Sequence, residues 1–273
     1  MKLIFLDIDG TLVTAGCNVP PSSAMEAIRK ARGNGHKVFL CSGRNVGMAA
    51  PVFDLGFDGI ISLAGAYVLA EGELLYDQPM DPDEFTDLLH LLHEDGVFCT
   101  IEARDVTYGD EDLGAFLATA DARNSEIERW RKALQGELGI RPMHEYDGRP
   151  IYKIVIMCAE AGQLARAKEK YEDRYDFVVQ EVQEHGNCLN GELIQRCFDK
   201  GKAIRLVADH YGQPISETIG FGDSMNDLTM IQTVGISLCM GNGSETLKKI
   251  SDHVLPSVEE DGLAKGFELL ELI

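Results

Sequence analysis

The chain contains short runs of consecutive apolar residues that end in polar or glycine-rich turns. The first two, Lys2–Leu6 and Lys37–Cys41, each carry four apolar residues in five positions. A continuous apolar run of this length is typical of a strand that is buried on both faces, as in a parallel sheet. Helical periodicity covers Ala24–Arg32 between them, and a third run follows at Gly59–Leu63. The pattern predicts alternating strands and helices in the first part of the chain.

The alternation stops near Pro79 and resumes with a helix at Lys200–Tyr211 and a strand at Thr218–Gly222. Between these points the predicted strands and helices do not follow each other one by one. The pattern at Leu113–Gln135 predicts a polar helical segment that is broken near Asn124 and contains Trp130. This organisation indicates an α+β insert of over ~100 residues, which is the size of a domain.

The predicted fold class is α/β, with a doubly wound, Rossmann-like parallel sheet core and an inserted α+β cap domain. The core takes residues 1–79 and 195–273, and the cap takes residues 80–194. Because both ends of the chain build the core, residues far apart in sequence are expected to meet at one sheet edge. An open α/β sheet binds its ligands at the carboxyl ends of its strands.

Two aspartates, Asp7 and Asp9, follow the first predicted strand, and Gly10 and Thr11 close the turn. One carboxylate can attack phosphorus as a nucleophile while a second moves a proton, and carboxylate oxygens also suit Mg²⁺. A solvated turn would give the same pattern. An EF-hand loop shares the DxDG sequence, but it requires a preceding helix and a closing Glu that this chain lacks.

The second predicted strand ends in Ser42, which is followed by Gly43 and Arg44. A hydroxyl and backbone N–H groups at a strand-to-helix turn form an anion site, although a plain helix N-cap is the alternative for Ser42. Arg44 is either a surface residue or a phosphate partner, and the planar guanidinium suits the second role.

Two more polar groups occur in the second half of the core. Lys200 and Lys202 begin a helix, where a lysine opposes the helix dipole unless an anion lies nearby; a solvated lysine is the alternative. Asp223 and Asp227 lie four residues apart after the strand that ends at Gly222. These residues are expected to share a crevice with the DxDGT and SGR motifs.

Together, the motifs DxDGT, SGR, a lysine at a helix start and GDxxND closely resemble those of the haloacid dehalogenase superfamily. Within it, the chain resembles the Cof-type phosphatases, which carry a large α/β cap of the C2 type. By this resemblance, Asp7 is the nucleophile that forms an aspartyl-phosphate, and Asp9 is the general acid and then the base. Ser42 and Lys200 are the other catalytic residues. The implied Mg²⁺ ligands are Asp7, Asp9 through its backbone carbonyl, Asp223 and Asp227. The implied phosphate-binding residues are Gly10, Thr11, Gly43, Arg44 and Asn226.

The resemblance implies a Mg²⁺-dependent phosphatase of small phosphorylated metabolites, with sugar phosphates as the usual class. Ala64 occupies a position that is often Asn in these enzymes, which weakens the expectation of that class, and the polar segment His185–Asn190 is a candidate for substrate contacts. The alternatives are a phosphomutase, for which the cap lacks an extra basic cluster, and a catalytically silent binding protein. A phosphoacceptor receiver lacks both the second aspartate and the insert.

Composition limits the partners and the compartment. A net charge of −20 over 273 residues argues against a general nucleic-acid or anionic-membrane surface, although a local metal ion still permits an anionic substrate. The sequence has no signal-peptide pattern and no apolar run of membrane-helix length. Seven scattered cysteines without zinc spacing predict reduced thiols in a cytoplasmic protein. The oligomeric state is left open.

Overall fold

The structure is a computed structural model that describes residues 1–119, 139–180 and 188–273. The chain forms two compact units. The first unit comprises residues 1–44, 49–77 and 198–273, and the second comprises residues 45–48 and 78–197. These limits lie two and three residues from the predicted domain boundaries at 79/80 and 194/195. The segment 45–48, which directly follows the SGR motif, groups with the insert rather than with the core.

The described residues contain fourteen strands and nine α-helices. The strands are β1 (Leu3–Leu6), β2 (Lys37–Cys41), β3 (Gly59–Ser62), β4 (Tyr67–Ala70), β5 (Glu73–Asp77), β6 (Phe98–Ala103), β7 (Thr107–Gly109), β8 (Arg141–Pro142), β9 (Ile151–Cys158), β10 (Tyr175–Gln180), β11 (Leu189–Gln195), β12 (Thr218–Gly222), β13 (Ile236–Cys239) and β14 (His253–Val254). The helices are α1 (Ser22–Gly33), α2 (Val46–Phe53), α3 (Pro82–Glu94), α4 (Leu113–Thr119), α5 (Ala165–Tyr171), α6 (Lys200–His210), α7 (Leu228–Thr233), α8 (Glu245–Ile250) and α9 (Gly262–Leu269). Within this part of the chain, no helix has both the length and the apolar character needed to cross a membrane.

The first unit is built on an eight-stranded sheet in the order β14-β13-β12-β1-β2-β3-β4-β5. The strands from β14 to β3 are parallel, whereas β4 and β5 form an antiparallel hairpin at the edge. In β1, Ile4 and Leu6 pack in the cluster that contains α1 and α9, while Leu3 and Phe5 pack in the cluster that contains α6. Since successive side chains of a strand point to opposite faces, both faces of the sheet are covered by helices. Each of these fully buried side chains contributes roughly 1.5–3 kcal/mol. The predicted α/β, doubly wound class is confirmed.

The second unit has a six-stranded sheet in the order β10-β11-β9-β6-β7-β8. Its pairs are antiparallel except β7 with β8. Leu88 of α3 and Ala167 of α5 pack with Ile101 and Ile154 on one face, so this unit is α+β as predicted. Of the long polar helix predicted at 113–135, only α4 belongs to the described residues, and Trp130 lies outside them.

Candidate active site

The predicted site residues gather at the carboxyl edge of the eight-stranded sheet. Asp7 continues the path of β1, because its N–H donates to the Phe221 carbonyl of β12 at 3.0 Å. Strands β1 and β12 are parallel neighbours, so the loops that follow them open on the same edge. One loop carries the DxDGT motif and the other carries the GDxxND motif. Helix α6 brings Lys200 to the same place.

The Lys200 ammonium lies at the centre of this cluster. Its Nζ lies 2.7 Å from Asp7 Oδ1, 2.5 Å from Asp227 Oδ1 and 3.4 Å from Asn226 Oδ1. Lys200 is 1% exposed and Asp7 is 3% exposed. A lysine is almost never fully buried unless it is paired. The solvated-lysine alternative is therefore wrong for Lys200, whereas the Lys202 side chain is 54% exposed and pairs with Asp199.

A glycine after Lys200 lets the start of α6 approach α7 closely. A Cβ at Gly201 would lie 2.4 Å from Thr233 Oγ1 and 2.5 Å from the Thr229 carbonyl oxygen. The helix is capped by Asp199, whose Oδ1 accepts the Lys202 N–H at 2.8 Å. Close packing and capping together fix the helix end from which the buried lysine projects. The role of Gly201 was not predicted, because it depends on a neighbour in space.

Asp227 is held more firmly than Asp223. Its Oδ2 accepts the N–H groups of Asp223 and Ser224 at 3.0 and 3.1 Å, while Oδ1 contacts Lys200. Both oxygens of this fully buried carboxylate are therefore engaged by donors. Asp223 Oδ1 lies 3.4 Å from Thr11 Oγ1. The arrangement makes Asp227 a residue that positions Lys200 and the turn, and it leaves Asp223 as the more accessible carboxylate.

The loop after β13 holds the DxDGT turn through a side-chain hydrogen bond. Asn242 Nδ2 donates to the Gly10 carbonyl at 2.8 Å, and Asn242 Oδ1 accepts the Val258 N–H at 3.1 Å. Gly10 has a φ of +79°, and a Cβ there would lie 2.3 Å from Asp223 Oδ2. Glycine is thus required both by the turn and by the adjacent carboxylate. Asn242 was missed as a site residue; its position in a glycine-rich loop at a strand's carboxyl end was the available signal.

The charge balance of the cluster shifts its protonation equilibria. Burial raises the pKa of Asp7 well above its ordinary value, and the charges of Asp227 and Asp223 raise it further against the opposing effect of Lys200. Burial and the Asp227 charge raise the pKa of Asp223 to about 7. Burial alone would lower the pKa of Lys200, but Asp227 and Asp7 outweigh it, so the pKa of Lys200 is raised. Three carboxylates around one ammonium form a site that favours an added cation or proton.

Asp9 and Arg44 form a bidentate ion pair beside this cluster. Arg44 Nε and Nη2 lie 2.7 and 2.8 Å from the two oxygens of Asp9, and the Gly16 N–H donates to Asp9 Oδ1 at 2.9 Å. Arg44 also contacts Asn18 Oδ1 at 2.6 Å and the Cys17 carbonyl at 3.0 Å. The Arg44 side chain is 8% exposed, so Arg44 is not a surface residue. In this structure it binds the predicted general acid.

The SGR turn is anchored by the turn that follows β3. The N–H groups of Leu63 and Ala64 donate to the carbonyls of Arg44 and Ser42 at 3.0 and 3.1 Å. Leu63 and Ala64 have φ values of +53° and +57°, a left-handed conformation that Asn adopts more readily than Ala. The buried Ser42 Oγ accepts the Arg44 N–H at 3.2 Å. Ala64 therefore stands where the backbone itself favours the Asn that the resemblance implied.

The carboxylates of this edge fit a divalent cation. One oxygen from each of Asp7, Asp223 and Asp227 lies within 4.8 Å of the others. Hard oxygen donors of this kind suit Mg²⁺. The negative charge of these carboxylates exceeds the positive charge of Lys200, and this excess would attract a divalent cation electrostatically.

A family model described as haloacid dehalogenase-like hydrolase matches residues 4–267. The chain belongs to this family. The match includes the site residues at the carboxyl edge of the eight-stranded sheet and the insert, and it confirms the resemblance that the four motifs indicated. The predicted enzyme class of hydrolase is confirmed with it.

Relatives of the same length extend this result. The chain is 29% identical to YkrA of Bacillus subtilis (strain 168), over 100% of this chain and 98% of YkrA. It is 28% identical to the phosphatase YwpJ of the same organism, over 97% of this chain and 98% of YwpJ. A solved structure of the subclass IIB sugar phosphatase BT4131 superposes with a TM-score of 0.77 at 23% identity, covering 100% of both chains, and shows the shared fold. The family and the names of these relatives support a phosphatase.

Proposed function

We propose that this protein is a Mg²⁺-dependent phosphatase that hydrolyses small phosphorylated metabolites through an aspartyl-phosphate. The observation that carries the proposal is the buried cluster in which Lys200 joins Asp7 and Asp227 at 2.7 and 2.5 Å, with Asp223 beside them. A phosphoryl group needs its oxygens neutralised during transfer, and an ammonium fixed at the nucleophile is placed to do this. The family match over nearly the whole chain supports the same conclusion.

In the proposed reaction, Asp7 uses a carboxylate oxygen to attack phosphorus. A bond forms between this oxygen and phosphorus while the bond from phosphorus to the leaving oxygen breaks, and Asp9 donates a proton to that leaving oxygen. Asp9 then removes a proton from a water molecule, whose oxygen bonds to phosphorus while the bond between phosphorus and the Asp7 oxygen breaks, and this releases phosphate and restores Asp7. The proposed phosphate-binding groups are Gly10, Thr11, Ser42, Gly43 and Asn226. Lys200 holds Asp7 in place and offsets negative charge on the phosphoryl group.

The ion pair between Arg44 and Asp9 gives this scheme a specific requirement. Arg44 donates to both oxygens of Asp9, so each oxygen already uses a lone pair to accept a hydrogen bond from the guanidinium. Asp9 must therefore give up one of these bonds before it carries the proton for the leaving group. We assign Arg44 the role of holding Asp9 between turnovers, in addition to the phosphate contact predicted from its sequence position.

Asp7, Asp223 and the backbone carbonyl of Asp9 are the proposed Mg²⁺ ligands, with Asp227 positioning the site. Bound Mg²⁺ would screen the repulsion between the carboxylate nucleophile and the anionic substrate. The raised pKa values of Asp7 and Asp223 support this assignment, because a divalent cation relieves the same charge excess that a proton relieves. The seven unpaired cysteines support a reducing, cytoplasmic location.

The test is phosphate release from a panel of phosphorylated sugars, polyols, cofactors and nucleotides, measured with Mg²⁺ and with excess chelator. We expect release that requires Mg²⁺ and that Asp7→Asn abolishes, and acid quenching of the wild type should trap phosphate on the protein. Activity that survives Asp7→Asn would contradict the nucleophile assignment. Transfer of phosphate to a second substrate position without release would favour a phosphomutase.

A further inference from the structure

A second group of metal-ligating side chains lies in the inserted unit, apart from the carboxylates described above. It consists of His93, Cys99 and Asp110, each of which offers one ligand atom within 4.8 Å of the other two. Among the described residues, it is one of two such groups, and it is the one that combines nitrogen, sulfur and oxygen. These residues do not have the short spacing of a sequence zinc motif, because Asp110 follows Cys99 by eleven positions. The fold brings them together.

The three residues come from separate, well-fixed elements. His93 lies in the last turn of α3, which ends at Glu94, and Gly96 with a φ of +72° then reverses the chain into β6. The Val97 N–H donates to the Leu92 carbonyl at 2.9 Å and closes this turn. Cys99 follows two residues later, inside β6. The histidine and the cysteine are thus held on facing parts of one turn.

Asp110 is fixed against Cys99 by its backbone and its side chain. The Asp110 N–H donates to the Cys99 carbonyl at 3.0 Å, and Asp110 Oδ2 accepts the Cys99 N–H at 2.7 Å. The same oxygen lies 3.1 Å from His93 Nε2. A carboxylate held by a backbone N–H has its orientation set before any ligand binds, which is the usual support of a metal ligand.

The dimensions and exposures of the cluster suit a metal ion. Two ligands of a tetrahedral Zn²⁺ stand about 3.3–3.7 Å apart, given bonds of about 2.0–2.3 Å. The direct contact between His93 and Asp110 is close to that separation. The side chains of His93 and Asp110 are 38% and 17% exposed, so an ion can enter from their side. Cys99 is fully buried, which excludes a bulky substrate at its sulfur. The Cys99 sulfur makes a long contact of 3.9 Å to the Val97 carbonyl.

We propose that His93, Cys99 and Asp110 form a binding site for Zn²⁺ that ties the end of α3 to β6 and to the segment after β7. Imidazole, thiolate and carboxylate are the donor types that Zn²⁺ accepts, and water completes a four-coordinate site. Binding replaces the contact between His93 Nε2 and Asp110 with one bond from each residue to the ion. The neutral imidazole then carries its one proton on Nδ1, and the thiol proton passes to solvent. The site differs in chemistry from the carboxylate edge, which holds no sulfur or imidazole donor among the groups named above.

Cobalt(II) is the probe, because a thiolate bound to Co²⁺ gives a charge-transfer absorption that oxygen ligands do not give. The untagged, full-length, reduced protein is titrated with Co²⁺ in the presence of excess Mg²⁺. We expect the absorption to appear at one equivalent, to survive excess Mg²⁺ and to disappear when Zn²⁺ is added. No thiolate absorption, or an absorption that Zn²⁺ does not remove, would overturn the proposal.

Matched variants locate the sulfur and the other ligands. Cys99→Ser should lose the absorption, whereas Cys158→Ser, which changes another buried cysteine of the same cluster of apolar side chains, should keep it. His93→Gln alters an exposed side chain and should fold normally, yet it should weaken Co²⁺ binding by about tenfold or more. Asp110→Asn, which keeps an acceptor for the Cys99 N–H, should weaken it similarly. Wild-type affinity in His93→Gln, or an unchanged absorption in Cys99→Ser, would refute the site.

Discussion

The amino edge and the carboxyl edge of the eight-stranded sheet, at the two ends of its parallel strands, each bury an aspartate. The negative charge is compensated at the amino edge and only partly compensated at the carboxyl edge. At the amino edge, Asp58 precedes β3 and accepts hydrogen bonds from Arg32 Nε and Nη2 at 2.9 and 3.1 Å. Lys37 lies between Asp58 and Glu71 and contacts both. Two carboxylates thus meet two cations. At the carboxyl ends of the strands, beside the Asp9–Arg44 ion pair, three aspartates (Asp7, Asp223 and Asp227) meet one lysine.

The pKa values follow this difference in balance. Burial alone would raise the pKa of Asp58, but the hydrogen bonds from Arg32 and from the Val38 N–H outweigh it, and the pKa of Asp58 is lowered. The pKa values of Asp7 and Asp223 are raised. A buried carboxylate therefore indicates chemistry only when its neighbours leave its charge uncompensated. The compensated charge of Asp58 at the amino edge stabilises the fold. The excess negative charge of the aspartates at the carboxyl edge is available for the proposed reaction.

The largest expected contrast is between Asp7→Asn and Asp58→Asn. Asp7→Asn should lower Mg²⁺-dependent phosphate release by about 10³-fold or more, while raising the free energy of unfolding in chelator by about 1 kcal/mol, since it removes a crowded charge. Asp58→Asn should leave release within about twofold and lower the unfolding free energy by about 2 kcal/mol, because hydrogen bonds to a charged group are lost. The same phosphate assay and urea unfolding, applied to both variants, measure this contrast. Equal effects on activity would show that the two edges do not differ in function.

The two lysines at the start of α6 give the next contrast. Lys200→Ala leaves Asp7 and Asp227 buried without their shared ammonium, so we expect a loss of about 3 kcal/mol in the free energy of unfolding at pH 8 in chelator. Lys202→Ala removes an exposed pair with Asp199 and should cost under about 0.5 kcal/mol. Urea unfolding followed by two spectroscopic probes checks both values. A larger loss for Lys202→Ala would reverse the assignment of the buried lysine.

The stability that Asp58 contributes at the amino edge should depend on pH. The folded-state pKa of Asp58 is lowered, so its contribution to stability is fully present above the unfolded value of about 4 and is lost as the pH falls through the folded value. The difference in unfolding free energy between wild type and Asp58→Asn should therefore stay near 2 kcal/mol from about pH 8 to 5 and shrink below about pH 4. Thermal unfolding at a series of pH values tests this, and a difference that grows on acidification would contradict the ion pair.

The smallest expected effect concerns Mg²⁺ and the carboxyl edge. At a Mg²⁺ concentration tenfold above its dissociation constant, binding to the folded state adds about 1.4 kcal/mol to the free energy of unfolding. Wild type should show this gain in a thermal shift, and Asp223→Asn should lose most of it. Asp58→Asn is the control and should respond like wild type. The same gain in Asp223→Asn would remove Asp223 from the metal ligands.

The sequence predicted best what local pattern determines. The bounds of β2 and β12 agree with the structure because continuous apolar runs end there in polar turns. The motifs around Asp7 and Asp223 were also visible, since carboxylates after buried strands are rare outside sites. By contrast, β7 has three residues, which is too short for any periodicity to register.

What the sequence left undetermined depends on approach in space. Asn242 contacts Gly10 across 232 positions, and Arg44 contacts Asp9 across 35. No local propensity distinguishes an Arg that binds phosphate from one that binds a carboxylate. The close packing of Gly201 on Thr229 and Thr233 is equally invisible before α6 and α7 are placed together.

The central position of β1 has a consequence for how the protein is made. Its partners are β2, which follows within 40 residues, and β12, which begins at Thr218. At synthesis rates of roughly 5–20 residues per second, β1 stays an open, fully apolar edge for about 10–40 s before β12 emerges. The nascent chain therefore carries an exposed template for strand addition throughout the translation of the insert. Building one site from both ends of the chain therefore leaves Leu3–Leu6 without one of its two neighbouring strands until the second half of the core is synthesised.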